Sequence, residues 1–316
     1  MSPDVVTVGE AMVLLVAEQA GPLREAATFR RHIAGAEANV AIGLCRLGHT
    51  AGWIGRVGDD EFGRAVLFRL RGEGVDVSRA VVDAGAPTGV LFREKRDAGP
   101  ILVAYYRRGS AASRLSPDDL DAGYIRAARV LHLTGITPAL SDTCRAATLA
   151  AAELARSAGV TVVLDPNVRL RLWDRDEARR VLRDLAAHSD IVLPGGDEAE
   201  LMTEEADPEA AGRALLRLGP SLAVVKLGSR GALAVHPEGT LHSAPGSAAR
   251  VIDPVGAGDA FAAGFIAGHL RELDLRERLD LANRCGAAAV AVAGDTEGMP
   301  RWEEVSAPPA SPDVSR

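Results

Sequence analysis

The stretch 251-VIDPVGAGDAFAA-263 decides how the rest of the chain is read. Asp253-Pro254 reads as a strand end and turn, because proline fixes φ and removes a backbone donor. Gly256-Ala257-Gly258 then makes a bend almost free of side chains, which lets backbone approach a ligand closely. Ala260 to Leu270 continues in helix-forming residues with apolar spacing. A glycine-rich turn that opens a helix presents free N–H groups and the positive end of the helix dipole, a setting for an anion. An acidic Asp259 in that setting would repel phosphate, unless its task is to take a proton from an incoming hydroxyl. The plainer alternative is that Gly-Ala-Gly only allows tight strand–helix packing and that Asp259 caps the helix.

Two commoner glycine patterns do not fit. A P-loop needs G-x-x-x-x-G-K-[ST], and no lysine follows these glycines. A dinucleotide fingerprint needs G-x-G-x-x-G, and GAGDAFAAG lacks the third glycine at that spacing.

DPVGAGDAFAAGF resembles the C-terminal signature of ribokinase-like carbohydrate kinases, and GAEANVAIGLCRLG from Gly35 resembles its N-terminal partner. The two stand far apart and in the right order, and the resemblance runs from about Val5 to about Gly298. Within the family, YYRRGSAAS, LHLTGITPALS and LDPNVR are most similar to 2-keto-3-deoxygluconate kinases. The resemblance implies an α/β fold with a doubly wound, mostly parallel sheet flanked by helices and a small β-sheet lid. It also implies ATP-dependent phosphorylation of a sugar acid at its terminal hydroxyl.

Composition agrees with a large single core. The 316 residues are 47% hydrophobic, which suits one α/β domain over 1–305 with lid segments at about 11–34 and 86–110. A net charge of −7 without a basic run argues against nucleic acid and anionic membranes as partners. Cys45, Cys144 and Cys285 form no metal or C-x-x-C spacing, so reduced thiols in a cytoplasmic protein are expected. The start, MSPDVVTVGEAMVLLVAEQ, lacks a basic n-region and is interrupted by Glu10; it reads as strands, not as a signal peptide or a spanning helix. The tail 306–316, SAPPASPDVSR, has a disorder-type composition.

Along the chain, Val5–Val8 reads as a buried parallel strand, Met12–Ala17 as a second, and Gly35 opens a helix through Leu47. Trp53–Val57 reads as one strand, and the segment after Asp59-Asp60 reads as a helix to Arg71. Between Thr88 and Tyr106 alternating residues predict a hairpin with its turn at Asp97-Ala98-Gly99-Pro100. That hairpin and Met12–His32 break the strand–helix rhythm, so both are assigned to the lid. Val90, Phe92, Ile101 and Val103 are expected on one apolar face that a second subunit covers, making a homo-oligomer. From Leu120 strands and helices alternate, as in a doubly wound sheet with ligands at the carboxyl ends of the strands.

Asp259 is the expected general base, with Gly256, Ala257 and Gly258 N–H groups steadying the transferred phosphoryl group. The resemblance implies sugar contacts at Gly35, Ala36, Glu37, Ala38 and Asn39, best carried by Gly35 and Asn39; a helix start with Asn39 bonded internally is the alternative. Ile136 and Asp295 join the substrate side by the same resemblance. Tyr105, Tyr106, Arg107 and Arg169 match positions that hold the acid sugar, and two desolvated guanidinium forks suit a carboxylate or a phosphate. A solvated Arg107 stays open, since Arg is the common cation here, with Lys only at Lys95 and Lys226. Asn167, Arg169, Lys226, Gly228, Gly231 and Asn283 fall on the nucleotide side by resemblance, Asn283 beside the adenine. The family's N-x-x-E motif reads Gly195-Gly196-Asp197-Glu198, so Gly195 replaces the asparagine and water-mediated magnesium handling rests on Glu198. Mg2+ is expected to arrive with ATP, and a monovalent cation near Asp253 stays open. A neutral-sugar kinase acting on fructose or ribose, or a sugar-acid sensor without catalysis, are the rival readings.

Overall fold

A computed structural model describes residues 2–96, 102–246 and 251–306. The predicted turn at 97–100, Ile101 and all of the tail after Ser306 lie outside the described residues.

The chain opens with β1 (Val5–Val8), β2 (Met12–Ala20), β3 (Phe29–Ala34) and α1 (Ala36–Arg46). Next come β4 (Ala51–Ile54), β5 (Arg56–Gly58), α2 (Glu61–Gly72), β6 (Val81–Asp83), β7 (Val90–Lys95) and β8 (Val103–Tyr106). The middle holds α3 (Ala122–Arg126), β9 (Val130–Thr134), α4 (Asp142–Ser157), β10 (Thr161–Asp165), α5 (Arg175–Ala187) and β11 (Ile191–Val192). After these follow α6 (Gly196–Thr203), α7 (Pro208–Leu216), β12 (Leu222–Lys226), β13 (Ala232–His236) and β14 (Gly239–Ser243). The last elements are α8 (Ala257–Leu270), α9 (Leu275–Ala289) and α10 (Trp302–Ser306).

Eight strands form the main sheet in the order β14-β13-β12-β11-β10-β9-β1-β4. Pairing is parallel from β4 to β12 and antiparallel only for β12–β13 and β13–β14. VVTV, AGWI and VLHLT are buried on both faces, as strands of a helix-covered parallel sheet must be. One face packs against α1, α8 and α9; the other packs against α4, α5 and α7. Strand order reverses at β1, between β4 and β9, and such a reversal opens a crevice at the carboxyl ends.

Local chemistry sets the helix starts. Asp60 caps α2 by accepting from Gly63 N at 2.7 Å, and Ser141 caps α4 from Cys144 N at 3.1 Å. Asp274 and Glu277 close a capping box on α9. Helix α8 is buried along nearly its whole length, because AFAAGFIAGHL is apolar on every side. Its small residues let neighbours come close: Gly264 abuts Ala282 and Cys285 of α9, and Ala263 abuts Gly43 of α1.

The lid is a separate four-stranded sheet, β3-β2-β7-β8. β2 pairs antiparallel with β3 and parallel with β7, while β7 and β8 form the predicted hairpin.

Several expectations are corrected. The run Trp53–Val57 is two strands, β4 and β5, because the chain leaves the main sheet at Gly55 and pairs with β6 in a small separate sheet. No strand ends at Asp253: Val251 and Ile252 are exposed and irregular, and the turn leads straight into α8. Val103 does not share a face with Val90 and Phe92, since the hairpin register places it opposite Arg93, on the cavity side. Turn length sets that register, and alternation alone does not reveal it. Helices α7 and α9 and strand β14 were not foreseen.

Candidate active site

A cavity of about 740 Å³ lies between the carboxyl ends of the main-sheet strands and the inner face of the lid. Thr134, Asp165 and Lys226 end β9, β10 and β12, and Gly9-Glu10 follows β1, so the sheet itself brings polar groups to one rim. Met12, Leu14, Leu91 and Val103 of the lid supply an apolar roof.

Asp259 stands in the first turn of α8, whose N-cap is Gly256, so the aspartate is not the cap. Gly256 has φ +79°, and a Cβ there would run into the Asp295 carbonyl oxygen; only glycine fits. The Ala257 N–H makes only a long 3.4 Å contact with Pro254 O, which leaves the turn's donors lightly engaged. Asn39 Nδ2 donates to Asp259 Oδ2 at 2.8 Å, and Asn167 Nδ2 approaches Oδ1 at 3.4 Å. Asn167 reaches it from a backbone of φ +41°, a region Asn tolerates better than most residues. Burial pushes the Asp259 carboxyl up to about 7; Asn39 opposes this, and the charges of Asp165 and Asp295 reinforce it.

On the other wall, Gly35 is the N-cap of α1 at φ +145°, where a Cβ would strike the Glu10 carbonyl oxygen. Glu37 Oε1 accepts from Thr134 Oγ1 at 2.7 Å and Thr137 Oγ1 at 2.6 Å. Arg107 is buried and ion-paired with the fully buried Glu10, and its guanidinium lies 5.4 Å from the centre of the Tyr105 ring. Burial and the nearby Glu37 charge hold Glu10 above the usual carboxylate range, in spite of Arg107. Four buried atoms in this wall have no hydrogen-bond partner: Glu10 Oε1, Glu37 Oε2, Asn39 Oδ1 and Arg107 Nε. Buried polar atoms are normally paired, so this wall carries unspent hydrogen-bonding capacity close to the cavity.

The far end of the cavity holds Lys226, whose Nζ lies 2.6 Å from Asp165 Oδ2. Burial works to lower the Lys226 pKa, but the charges of Asp165 and Glu198 more than offset it, so the ammonium form is favoured. Glu198 accepts from Val168 N at 2.8 Å through Oε1 and from Gly195 N at 2.7 Å through Oε2, which makes it the capping residue of α6. Asp197 and Arg230 line the same end.

Of the residues singled out from sequence, Gly35, Ala36, Glu37, Asn39, Tyr105, Arg107, Ile136, Asn167, Arg169, Lys226, Gly256, Gly258, Asp259 and Asp295 line this cavity. It leaves others out. Ala38 faces the core, Tyr106 is 68% exposed on the lid's outer side, and Gly228 and Gly231 flank the wall without lining it. Asn283 stands apart, its amide donating to Ser243 Oγ at 3.0 Å and Ala244 O at 2.8 Å. The expected pair of desolvated arginines is also corrected. Arg169 is exposed and donates to Val168 O at 3.1 Å, while buried Arg107 already has Glu10 as partner.

Sequence reasoning missed Glu10, Arg93, Asp165 and Arg230 as cavity residues. A signal existed for Asp165, a charge directly ending an apolar strand at the ligand-binding edge. Glu10, likewise, is an acid just beyond a buried strand. Arg93 offered none, because its inward side depends on hairpin register.

The comparisons with known proteins agree with this geometry. The family model described as pfkB family carbohydrate kinase matches residues 2–302. A protein of Bacillus subtilis named 2-dehydro-3-deoxygluconokinase is 42% identical over 311 residues, covering 97% of this chain and 95% of its own. A PfkB protein from Polaromonas sp. JS666 superposes with a TM-score of 0.90 at 42% identity, over 97% of this chain and 100% of that one. A ribokinase II from Escherichia coli, solved in complex with ATP and Mg2+, also gives a TM-score of 0.90, at 29% identity over 96% of this chain and 98% of that one.

Proposed function

This chain belongs to the pfkB family of carbohydrate kinases, and from that premise we propose that it transfers the γ-phosphoryl group of ATP to the terminal hydroxyl of 2-keto-3-deoxygluconate. The products are the 6-phospho derivative and ADP, with one proton released from the hydroxyl. The observation that carries the reading is Asp259, a buried carboxylate held by two neutral amides in the first turn of α8, at the edge of a cavity of about 740 Å³. A carboxyl raised to about 7 is poised to take the proton late in a loose phosphoryl transfer. The backbone donors of Gly256, Ala257 and Gly258 and the N-terminal end of the α8 dipole receive the phosphoryl oxygens.

In this reading Gly35, Glu37 and Asn39 contact sugar hydroxyls, and Asp295 lies beside the acceptor. Tyr105 and Arg107 face the carboxylate and keto oxygen, and Ile136 adds an apolar contact. Tyr106 is left to the lid surface. Lys226, Asn167 and Arg169 attend the ATP phosphates, with the Gly228–Gly231 loop alongside. Among the described residues no group of three or more His, Cys, Asp or Glu side chains could hold a metal. Glu198 fits the supporting role expected of it, since each of its oxygens keeps a lone pair after accepting one backbone N–H. The magnesium ion is thus taken as part of the nucleotide substrate, where its charge offsets that of the phosphates. Asp253, the position considered for a monovalent cation, carries the Arg93 guanidinium.

The catalytic unit is proposed as residues 1–305, with lid segments at about 11–34 and 86–110, working in the cytoplasm. No helix among the described residues is long and apolar enough to cross a membrane. A second copy is proposed to cover the outer lid face, where the Phe29, Phe92 and Tyr106 rings meet edge-on at 5.4 and 5.6 Å. Light scattering that finds only monomer at assay concentration would sink this part.

The deciding experiment is an ADP-release assay run with sugar acids against fructose and ribose. Turnover is expected with the keto-deoxy acid and little with the neutral sugars, since a site built for a charged group rejects a substrate lacking it by up to about 10⁴ in kcat/KM. Equal efficiency on fructose overturns the acid assignment. Binding of the acid without any ADP release identifies a sensor instead.

A further inference from the structure

Arg93 is buried, 6% exposed, yet it belongs to the lid strand β7 rather than to the main sheet. Its Nη2 donates to Asp253 Oδ2 at 2.8 Å, and its Nη1 lies 3.9 Å from Asp295 Oδ1. Both Nη1 and Asp295 Oδ1 are buried without a hydrogen bond. Asp253 also accepts from backbone, from Val255 N at 3.1 Å and Gly294 N at 3.2 Å. The two segments meet again at Gly256, which packs directly on the Asp295 backbone. One guanidinium therefore sits across the two chain segments that shape the turn before α8. It is also the charge that offsets two buried carboxylates beside a turn meant for an anion.

We propose that Arg93 is a positioning residue for phosphoryl transfer: from the lid it holds Asp253 and Asp295, and so sets the shape and charge of the Gly256–Gly258 turn. Without it, two carboxylates desolvated side by side repel each other and the incoming phosphate, and the turn loses its tie to the lid. A lysine keeps the charge but, as a point donor, does not span both carboxylates as a planar fork does. The proposal rests on the reading that this turn receives the phosphoryl group.

The test measures kcat, KM and thermal melting for Arg93→Lys and Arg93→Ala, with and without tens of millimolar guanidinium ion. Arg93→Ala is expected to lose about 10²–10³ in kcat, the scale for losing part of an oxyanion-type site, while KM for the sugar moves little. Arg93→Lys should fall between it and wild type. Because Arg93 lines the cavity, guanidinium should restore part of the activity of the alanine variant, and a purely structural arginine would not give that. A lysine variant with wild-type kcat overturns the proposal. So does an alanine variant that is folded, slow and indifferent to guanidinium. If the alanine variant does not fold, the lysine variant alone decides. Asp259→Asn separates the two levels. Its inactivity together with unaffected Arg93 variants ends the Arg93 proposal alone, whereas full activity of Asp259→Asn ends the reading of the turn and the proposal with it.

Discussion

The two walls of the cavity hold their charges in opposite ways. On the scaffold side, Asp259 is gripped by neutral amides, Asn39 and Asn167, with no cation at hydrogen-bond distance. On the lid side the two buried arginines each meet a carboxylate: Arg107 meets Glu10, and Arg93 meets Asp253. In the proposed mechanism, with Asp259 as the base, the difference follows from what each wall does. A base has to change protonation during each turnover, and an adjacent guanidinium would pull its pKa down and make it a poorer acceptor. A lid has to dock and exclude water without leaving naked charges inside, so its arginines close onto carboxylates that the scaffold presents, Glu10 after β1 and Asp253 before α8.

The comparison breaks most visibly at Asp259. Asp259→Asn is expected to lower kcat by about 10²–10⁴, the usual cost of removing a general base, with nucleotide binding retained. It should also melt at higher temperature near neutral pH. A folded-state pKa of about 7 against an ordinary value of 3.8 means that the folded protein holds the proton more tightly. That group therefore destabilises the fold progressively as pH rises through that window, and the amide does not. Steady-state kinetics beside a melting curve checks both signs, and a variant that is slow but also less stable contradicts the account of its environment.

Next in size is Arg107. Arg107→Ala removes one partner of a buried pair and leaves Glu10 uncompensated, a loss of about 2–5 kcal/mol in comparable sites. KM for the acid should rise accordingly, with far less change for any neutral sugar the enzyme accepts. Arg169→Ala should cost less, under about 1 kcal/mol, because that side chain is exposed. If Arg169 proves the more costly of the two, the lid does not provide the acid-binding charge.

How much of this was legible beforehand divides along the same line as the two walls. The scaffold wall is written in local patterns: GAGD before an apolar helix, GAEAN after a strand, apolar runs closed by Thr134, Asp165 and Lys226. Each of these depends on neighbours in sequence. The lid wall depends on pairing. Whether Arg93 or Phe92 points inward is fixed by the register of β7 on β8 and β2, and a shift by one residue exchanges the faces. That is why Val103 was assigned to the wrong face and Arg93 was passed over. The partnership of Arg107 with Glu10 was equally hidden, since it joins residues far apart in sequence across two sheets.

The smallest effects sharpen the comparison furthest, because the two raised carboxyls on opposite walls act with opposite sign. Protonating Asp259 removes the base, so kcat should fall as pH drops through about 7. Removing the Asn39 hydrogen bond, which lowers that pKa, should move the limb to higher pH in Asn39→Ala. Glu10 is also raised by burial, and in the empty site it competes with the substrate carboxylate for Arg107. Its protonation frees the guanidinium while the acid substrate remains an anion, so KM for the acid should decrease as kcat decreases. Glu10→Gln makes that release permanent: KM should drop by about three- to tenfold near pH 8, about 1 kcal/mol, and lose most of its slope with pH, while the kcat limb stays in place. A wild-type KM for the acid that stays flat or rises while kcat falls on the acid side would mean that Glu10 stays ionised and that Arg107 is never released by protons.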